Sequence, residues 1–234
     1  MIVSRGKQLR HPPGFIPGVL FGGAMGNKER HVKSGVFCYT GNMTPIFKHI
    51  QNRSLAHVMR FNLKPQHFPE SVADHSYFTA YIVSILCHLL EKEGEAVDKQ
   101  KALEMALVHD MEEMFSGDIV TPMKHHSPEL AAAIQKVNKE LIGDVFVGLP
   151  QEMAKHYVAL WNEEGRGETL EAQMVKVAEK FSLISKCAEE VRVGNEFFQE
   201  IYDSGLKFLE EYDKPWWRKI KSEILPESEA LTIR

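Results

Sequence analysis

The chain has 234 residues, 44% of them hydrophobic, a formal net charge of -4 and three cysteines. That length suits one large domain or a domain with extensions, and the apolar fraction supports a sizeable core. The near-balanced charge, with no long basic block, argues against stable nucleic-acid binding, although a small phosphate-bearing ligand needs only a local positive pocket. Cys38, Cys87 and Cys187 are widely spaced and form no CxxC, which fits a reduced cytoplasmic setting.

Residues 1–42 are rich in Gly, Pro and basic side chains and show little helical periodicity, so they are expected to form an irregular N-terminal extension, an arm or a lid. Arg5, Lys7 and Arg10 before the apolar run Gly14 to Met25 imitate a signal peptide, but Pro12, Pro13 and Pro17 interrupt it. From Thr44 the pattern turns helical. Thr44 can cap a first helix that opens on Pro45 and runs to about Phe61. After Pro65 and Pro69, Ser71 or Asp74 caps a second helix to about Gly94, with Tyr77, Ala80, Tyr81, Val83, Ile85 and Leu89 on its apolar side. Its apolar run from Tyr81 to Leu90 contains His88 and is too short to cross a bilayer.

Asp98 caps a third helix, in which Ala102, Leu103, Ala106 and Leu107 lead into His109-Asp110, and Gly117 ends that segment. Pro128 opens a fourth helix to about Ile142, and Pro150 a fifth to about Glu164. Thr169 begins a long helix through Val175, Val177, Phe181, Ile184 and Cys187 to about Val193, and two more follow, Phe197 to Tyr212 and Trp216 to Leu225. The Trp216-Trp217 pair reads as core packing or a dimer contact rather than a base-stacking platform. No useful strand alternation and no fixed repeat is present, so the expected fold is all-α, a multi-helix bundle over residues 43–226 with a short tail at 227–234.

Three stretches carry chemistry: Ser71-Val-Ala-Asp-His-Ser76, Val108-His-Asp-Met-Glu-Glu113 and Gly117-Asp-Ile-Val-Thr-Pro122. They supply one histidine on a helix, a His-Asp pair at the end of the next helix, an acid one turn later, and an acid in the following turn. Imidazole nitrogen with carboxylate oxygen suits a divalent metal that keeps open positions, and so points to metal-assisted hydrolysis of a phosphate ester. Each residue also has a plainer reading. A histidine on an apolar helix face is more often a hydrogen-bonded core residue than a ligand. Glu113 beside Glu112 reads as a surface acid, Asp118 after Gly117 as a turn residue, Glu179 as a solvated helix charge and Lys124 as an exposed lysine. His67, His125 and His126 match no ligand spacing.

Taken together, Arg60, Glu70 to Ser76, His109 to Lys124, Val175-Lys-Val-Ala-Glu-Lys180 and Lys186-Cys-Ala-Glu-Glu190 resemble the HD-domain phosphohydrolases, and most closely the bacterial 5'-deoxynucleotidase branch and its phage relatives. The resemblance covers about Leu55 to Asn195 and implies one divalent metal ion (Mn, Co, Fe, Ni or Mg) held by His75, His109, Asp110 and Glu179. Glu179 departs from the family's aspartate and is one methylene longer. The resemblance also implies that Glu113 takes part in proton transfer and Asp118 orients the reacting groups, with Arg60, Phe61, Thr121 and Lys124 at the substrate. Phe61 stands where the bacterial enzyme has a tryptophan that favours deoxyribose. The implied activity is hydrolysis of deoxynucleoside 5'-monophosphates by a cytoplasmic homodimer. Two alternatives are a deoxynucleoside triphosphate triphosphohydrolase, with the basic arm of Arg5, Lys7, Arg10, Lys28, Arg30 and Lys33 lining room for extra phosphates, and a non-catalytic nucleotide-binding protein.

Overall fold

The computed structural model describes residues 43–124 and 126–225, so the expectations for residues 1–42, for the tail and for Cys38 and His125 lie outside it. Among the described residues there are ten α-helices and no strands. The first, α1 (Pro45–Ile50), starts on the Thr44 cap as expected but stops well short of Phe61. It buries no side chain, so nothing holds a longer helix in place. Asn52 then accepts the Ser54 backbone N–H at 3.0 Å, a local turn that competes with helix, and a 3-10 turn follows over Ser54–His57.

Helix α2 (Val72–Lys92) begins at a full capping box. The Ser71 hydroxyl accepts the Asp74 N–H at 3.2 Å, and the Asp74 carboxylate accepts the Ser71 N–H at 3.0 Å. Its buried stripe differs from the expected one. Ala80 and Val83 face inward, but they are joined by Val72, His75, Ser76, Thr79, Leu86 and Leu90. Tyr77, Tyr81 and Ile85 are 64%, 58% and 41% exposed. The helix is apolar over much of its circumference, so tertiary contacts rather than hydropathy choose the inner face. Of the inner polar groups, Ser76 donates to the Val72 carbonyl at 2.9 Å, whereas the buried Thr79 hydroxyl has no hydrogen-bond partner among the described residues.

Helix α3 (Lys99–Val108), capped by Asp98, packs on α2, and the turn at residues 109–112 leads into α4 (Glu113–Ser116). Gly117 closes α4 with φ +70, a left-handed conformation that glycine adopts without strain. A short α5 (Thr121–Lys124), not anticipated, precedes α6 (Pro128–Val145) and α7 (Gln151–Glu164). The long α8 (Leu170–Arg192) runs through the centre, where its Met174, Val175 and Ala178 meet Val83 and Leu86 of α2 and Met105 of α3 in one fully buried core. A 3-10 turn at Glu196–Phe198 leads into α9 (Gln199–Glu211), followed by α10 (Pro215–Ile224). The tryptophan pair is core: Trp217 donates its indole N–H to the Leu209 carbonyl at 3.1 Å, and Trp216 to Gln173 at 3.0 Å.

Candidate active site

Two helix ends and one helix middle converge where α2, α3 and α8 meet. His75 lies one turn inside α2, facing α8, and its Nδ1 is 2.9 Å from the Ser182 hydroxyl. His109 follows the last residue of α3, and its Nδ1 donates to the Ala106 carbonyl at 2.8 Å. That bond makes Nδ1 the donor and orients the ring so that Nε2 faces the acids. His109 Nε2 is buried with no hydrogen-bond partner, 3.2 Å from Asp110 Oδ2 and 3.5 Å from Glu179 Oε1. His75 Nε2 is 3.7 Å from the same Asp110 oxygen. Ligand atoms of His75, His109 and Asp110 all lie within 4.8 Å of one another, the one such group among the described residues. An orphaned ring nitrogen aimed at two carboxylates, beside a second imidazole, is a donor set that fits a divalent cation. Glu179, half-buried on α8, lies at the edge of this group through its approach to His109.

The electrostatics follow from burial and charge. Burial, and then the Arg60 charge, push His75 well below its ordinary value, so it is a neutral imidazole. Burial also disfavours charge on His109, but Asp110 and Glu179 outweigh it and raise the ring to about 10. Asp110 is held low despite its surroundings by His109, His75 and Arg60. The two carboxylates therefore create a place beside Nε2 where positive charge is favoured.

The acids on the far side of Asp110 are not where a surface reading puts them. Glu112 and Glu113 are only 7% and 5% exposed. Glu112 is tied into the body: it accepts the Trp161 indole N–H at 2.7 Å and lies 3.4 Å from the Asn138 amide. Glu113 has no such anchor. Among the described residues its one ionic neighbour is Lys124 Nζ at 3.7 Å. Burial first, and then Asp110, raise the Glu113 carboxyl, the Lys124 charge pulls it back, and Asp118 and Glu112 add to the rise. Lys124 is accordingly half-buried rather than solvated, whereas Thr121 at the start of α5 is exposed.

Asp118 accepts the Phe61 backbone N–H at 3.3 Å and so holds the Arg60–Phe61 corner. Phe61 has φ +54, uncommon for a bulky residue, and its ring packs edge-on against the buried Phe198 at 5.1 Å. The Arg60 guanidinium lies 5.1 Å above that ring and donates to Glu70 at 2.6 Å.

Several residues around the site were given no individual role by the sequence. Ser182 backs His75, and Glu70, which the sequence offered only as part of the Glu70 to Ser76 motif, pairs with Arg60. Glu164 sits near Glu179 and His109, and burial and then Glu179 raise its carboxyl. On α8, Glu190 accepts the backbone N–H groups of His67 and Phe68 at 3.0 and 2.9 Å, Lys186 at 2.6 Å and Asn195 at 2.7 Å. Only the spacing of Lys186 and Glu190, one helical turn apart, could have suggested a pair. His67 and His126 are exposed.

A family model described as 5'-deoxynucleotidase YfbR-like matches residues 46–228. The chain is 28% identical over 153 residues to a 5'-deoxynucleotidase of Vibrio parahaemolyticus, covering 65% of this chain and 77% of that relative. It is 28% identical over 159 residues to a 5'-deoxynucleotidase of Yersinia pestis, covering 67% and 79%. Among solved structures, an HD-domain phosphohydrolase from Listeria innocua is 30% identical with a TM-score of 0.66, covering 77% of this chain and 88% of that one. The cyanophage S-2L HD phosphohydrolase, solved with dA and one catalytic Zn2+ ion, is 17% identical with a TM-score of 0.50 over 77% and 94% of the two chains, and shares the fold.

Proposed function

The chain belongs to the YfbR-like 5'-deoxynucleotidase family of HD-domain phosphohydrolases, and from that membership we propose that it hydrolyses deoxynucleoside 5'-monophosphates to nucleoside and phosphate. The observation that carries the proposal is the orphaned His109 Nε2 among His75, Asp110 and Glu179, with the buried Glu113 close by. His75, His109, Asp110 and Glu179 would hold one divalent ion, Mn, Co, Fe, Ni or Mg. There it would supply Lewis-acid polarisation of a phosphoryl group.

The chain's own residues do the rest. Arg60 offers a planar donor fork to the phosphate, with Lys124 as a second cation. Glu113, raised into a range where it holds a proton, delivers that proton to the leaving 5'-oxygen as water adds to phosphorus, and the proton that the water sheds restores the carboxyl. Asp118 sets the Arg60–Phe61 corner through the Phe61 N–H, and Phe61 and Thr121 flank the sugar. The exposed Tyr77, Tyr81 and Ile85 support a homodimer, and the free, buried Cys87 and Cys187 support a reduced cytoplasmic location.

The test is a metal-supplemented phosphate-release screen over deoxynucleoside mono- and triphosphates, with chromatography of the products. Phosphate and nucleoside from the monophosphates is the expected result. Intact triphosphate from dATP, with no turnover of dAMP, would replace the monophosphatase by a triphosphohydrolase. Metal and nucleotide binding without turnover would make the protein a nucleotide-binding one.

A further inference from the structure

Arg60 sits on a strap between the 3-10 turn at Ser54–His57 and α2. The base of the strap closes where the Arg60 N–H donates to the Glu70 carbonyl and the Val72 N–H to the Val58 carbonyl, both at 2.9 Å. Further along, the two peptides that flank Gln66 are held from the end of α8. Asn195 donates to the Pro65 carbonyl at 2.9 Å, and Glu190 accepts the His67 N–H at 3.0 Å. The Gln66 backbone is thus fixed, and its side chain reaches back into the strap. Its amide NH2 donates to the Arg60 carbonyl at 2.8 Å and lies 3.4 Å from the Phe61 carbonyl. Two acceptors on the same side settle which end of the amide is the nitrogen. The other end, Oε1, is buried with no hydrogen-bond partner among the described residues. An acceptor left in that state costs about 1–3 kcal/mol, which makes this glutamine a poor choice for stability alone.

The Arg60 carbonyl and the Phe61 N–H belong to one peptide. Gln66 grips its oxygen, and Asp118 accepts its N–H at 3.3 Å from the opposite end. That peptide enters Phe61 at φ +54, a left-handed conformation that costs a bulky residue about 1–3 kcal/mol. The Phe61 ring so placed packs against Phe198 and carries the Arg60 guanidinium 5.1 Å above it. We infer that Gln66 is a positioning residue: opposite Asp118 it locks the Arg60–Phe61 peptide, keeps Phe61 in its left-handed conformation and so holds Arg60 aimed at the substrate phosphate. The inference rests on the role of Arg60 proposed above. Without the Gln66 donor, only the 3.3 Å bond to Asp118 holds that peptide against the strain, and Phe61 relaxes toward negative φ. The ring then leaves Phe198, and the guanidinium keeps its bond to Glu70 but loses the surface on which it rests.

The experiment compares the full chain with Gln66→Met, which keeps the side-chain length and removes the donor. Far-UV circular dichroism reports folding, competition with a chelating dye reports Co2+ affinity, and phosphate release from dAMP with Co2+ reports kcat and KM. Displacing a positioning group costs up to about 10²-fold, so kcat/KM should fall about tenfold or more, mostly through KM, with Co2+ affinity unchanged. Gln66→Glu, which sets a carboxylate oxygen against the two carbonyls, should act in the same direction and serves if the methionine variant does not fold. The deciding comparison repeats Gln66→Met in an Arg60→Ala background. There the loss in kcat/KM should shrink to under about threefold, because no guanidinium remains to be aimed, whereas a merely structural role would cost the same factor in both backgrounds. A folded Gln66 variant with parental kcat/KM, an equal factor in both backgrounds, or a loss of Co2+ affinity overturns the inference. A parent that binds dAMP with Co2+ but releases no phosphate overturns the proposed activity alone, and the same cycle is then read on dAMP affinity by isothermal titration calorimetry. A parent that binds no dAMP overturns both.

Discussion

Glu190→Gln tests whether the strap that carries Arg60 is clamped by charge or merely by packing. The Glu190 side chain is fully buried, and each oxygen serves two donors. One accepts the Phe68 N–H and Lys186, and the other accepts the His67 N–H and Asn195. A glutamine amide must turn its NH2 toward two donors whichever way it is flipped. Losing two charge-assisted bonds at about 1.5–3 kcal/mol each gives about 3–6 kcal/mol. A second route gives a similar figure. Burial alone would raise the Glu190 carboxyl, but Lys186, the two backbone N–H groups and Asn195 hold it at about 2 against an ordinary 4.5, worth about 3 kcal/mol. For a domain of this size, about 3 kcal/mol lowers Tm by about 6–12 °C. The pH dependence has a definite sign. A depressed carboxyl stabilises fully above its unfolded value, and that stability is lost as pH falls through the folded value. The parent–variant gap in urea denaturation should therefore be widest at neutral pH and narrow from about 4.5 toward about 2. A gap under about 1 kcal/mol at neutral pH, no more than an ordinary hydrogen bond, or a gap constant through the acid range, would refute the reasoning.

Three further outcomes are expected. Glu113→Gln should lower kcat by about 10²-fold or more while Co2+ still binds, and loss of the metal instead would make Glu113 a ligand. Arg60→Ala should raise KM at least as much as it lowers kcat, since part of the phosphate contact exists in the ground state; an unchanged KM with a collapsed kcat would confine the arginine to the transition state. Glu179→Asp should tighten Co2+ binding or raise activity and Glu179→Ala should cost much of the affinity, whereas parental behaviour of both would leave Glu179 as a charge beside His109 and no more.

The helical frame was legible because its punctuation is local. Thr44-Pro45, Ser71 with Asp74, Asp98, Pro128 and Thr169 begin helices for reasons contained within four residues, and the structure starts helices at each. The end of α1 was not legible, because a helix that buries nothing ends where a competing Asn52 turn is available, and burial is not a local property. The inner face of α2 was misread for the same reason. Tyr77, Tyr81 and Ile85 lie outside although they are apolar, while His75, Ser76 and Thr79 lie inside, where His75 meets Ser182 of α8.

The chemistry-bearing residues were visible as types and spacings, but their states were not. Glu112 and Glu113 are adjacent and identical in sequence, and only the fold separates them. Trp161 from α7 and Asn138 from α6 bind Glu112 and make it an anchor whose carboxyl sits at about 7, raised first by burial. Glu113 receives no comparable partner, only Lys124 at 3.7 Å, and so keeps a raised carboxyl with a lone pair or proton to give. The two acids differ because α6 and α7 supply hydrogen-bond donors to Glu112, whereas α5 brings Glu113 a half-buried lysine. The same logic separates the two histidines. Asp110 approaches His109 more closely than His75, 3.2 against 3.7 Å, and Glu179 approaches His109 at 3.5 Å, so one ring stays neutral while the other sits in a field that favours a cation. The state of each of these side chains thus depends on the neighbours it meets, several of which, such as Trp161, Asn138 and Glu179, lie far away along the chain.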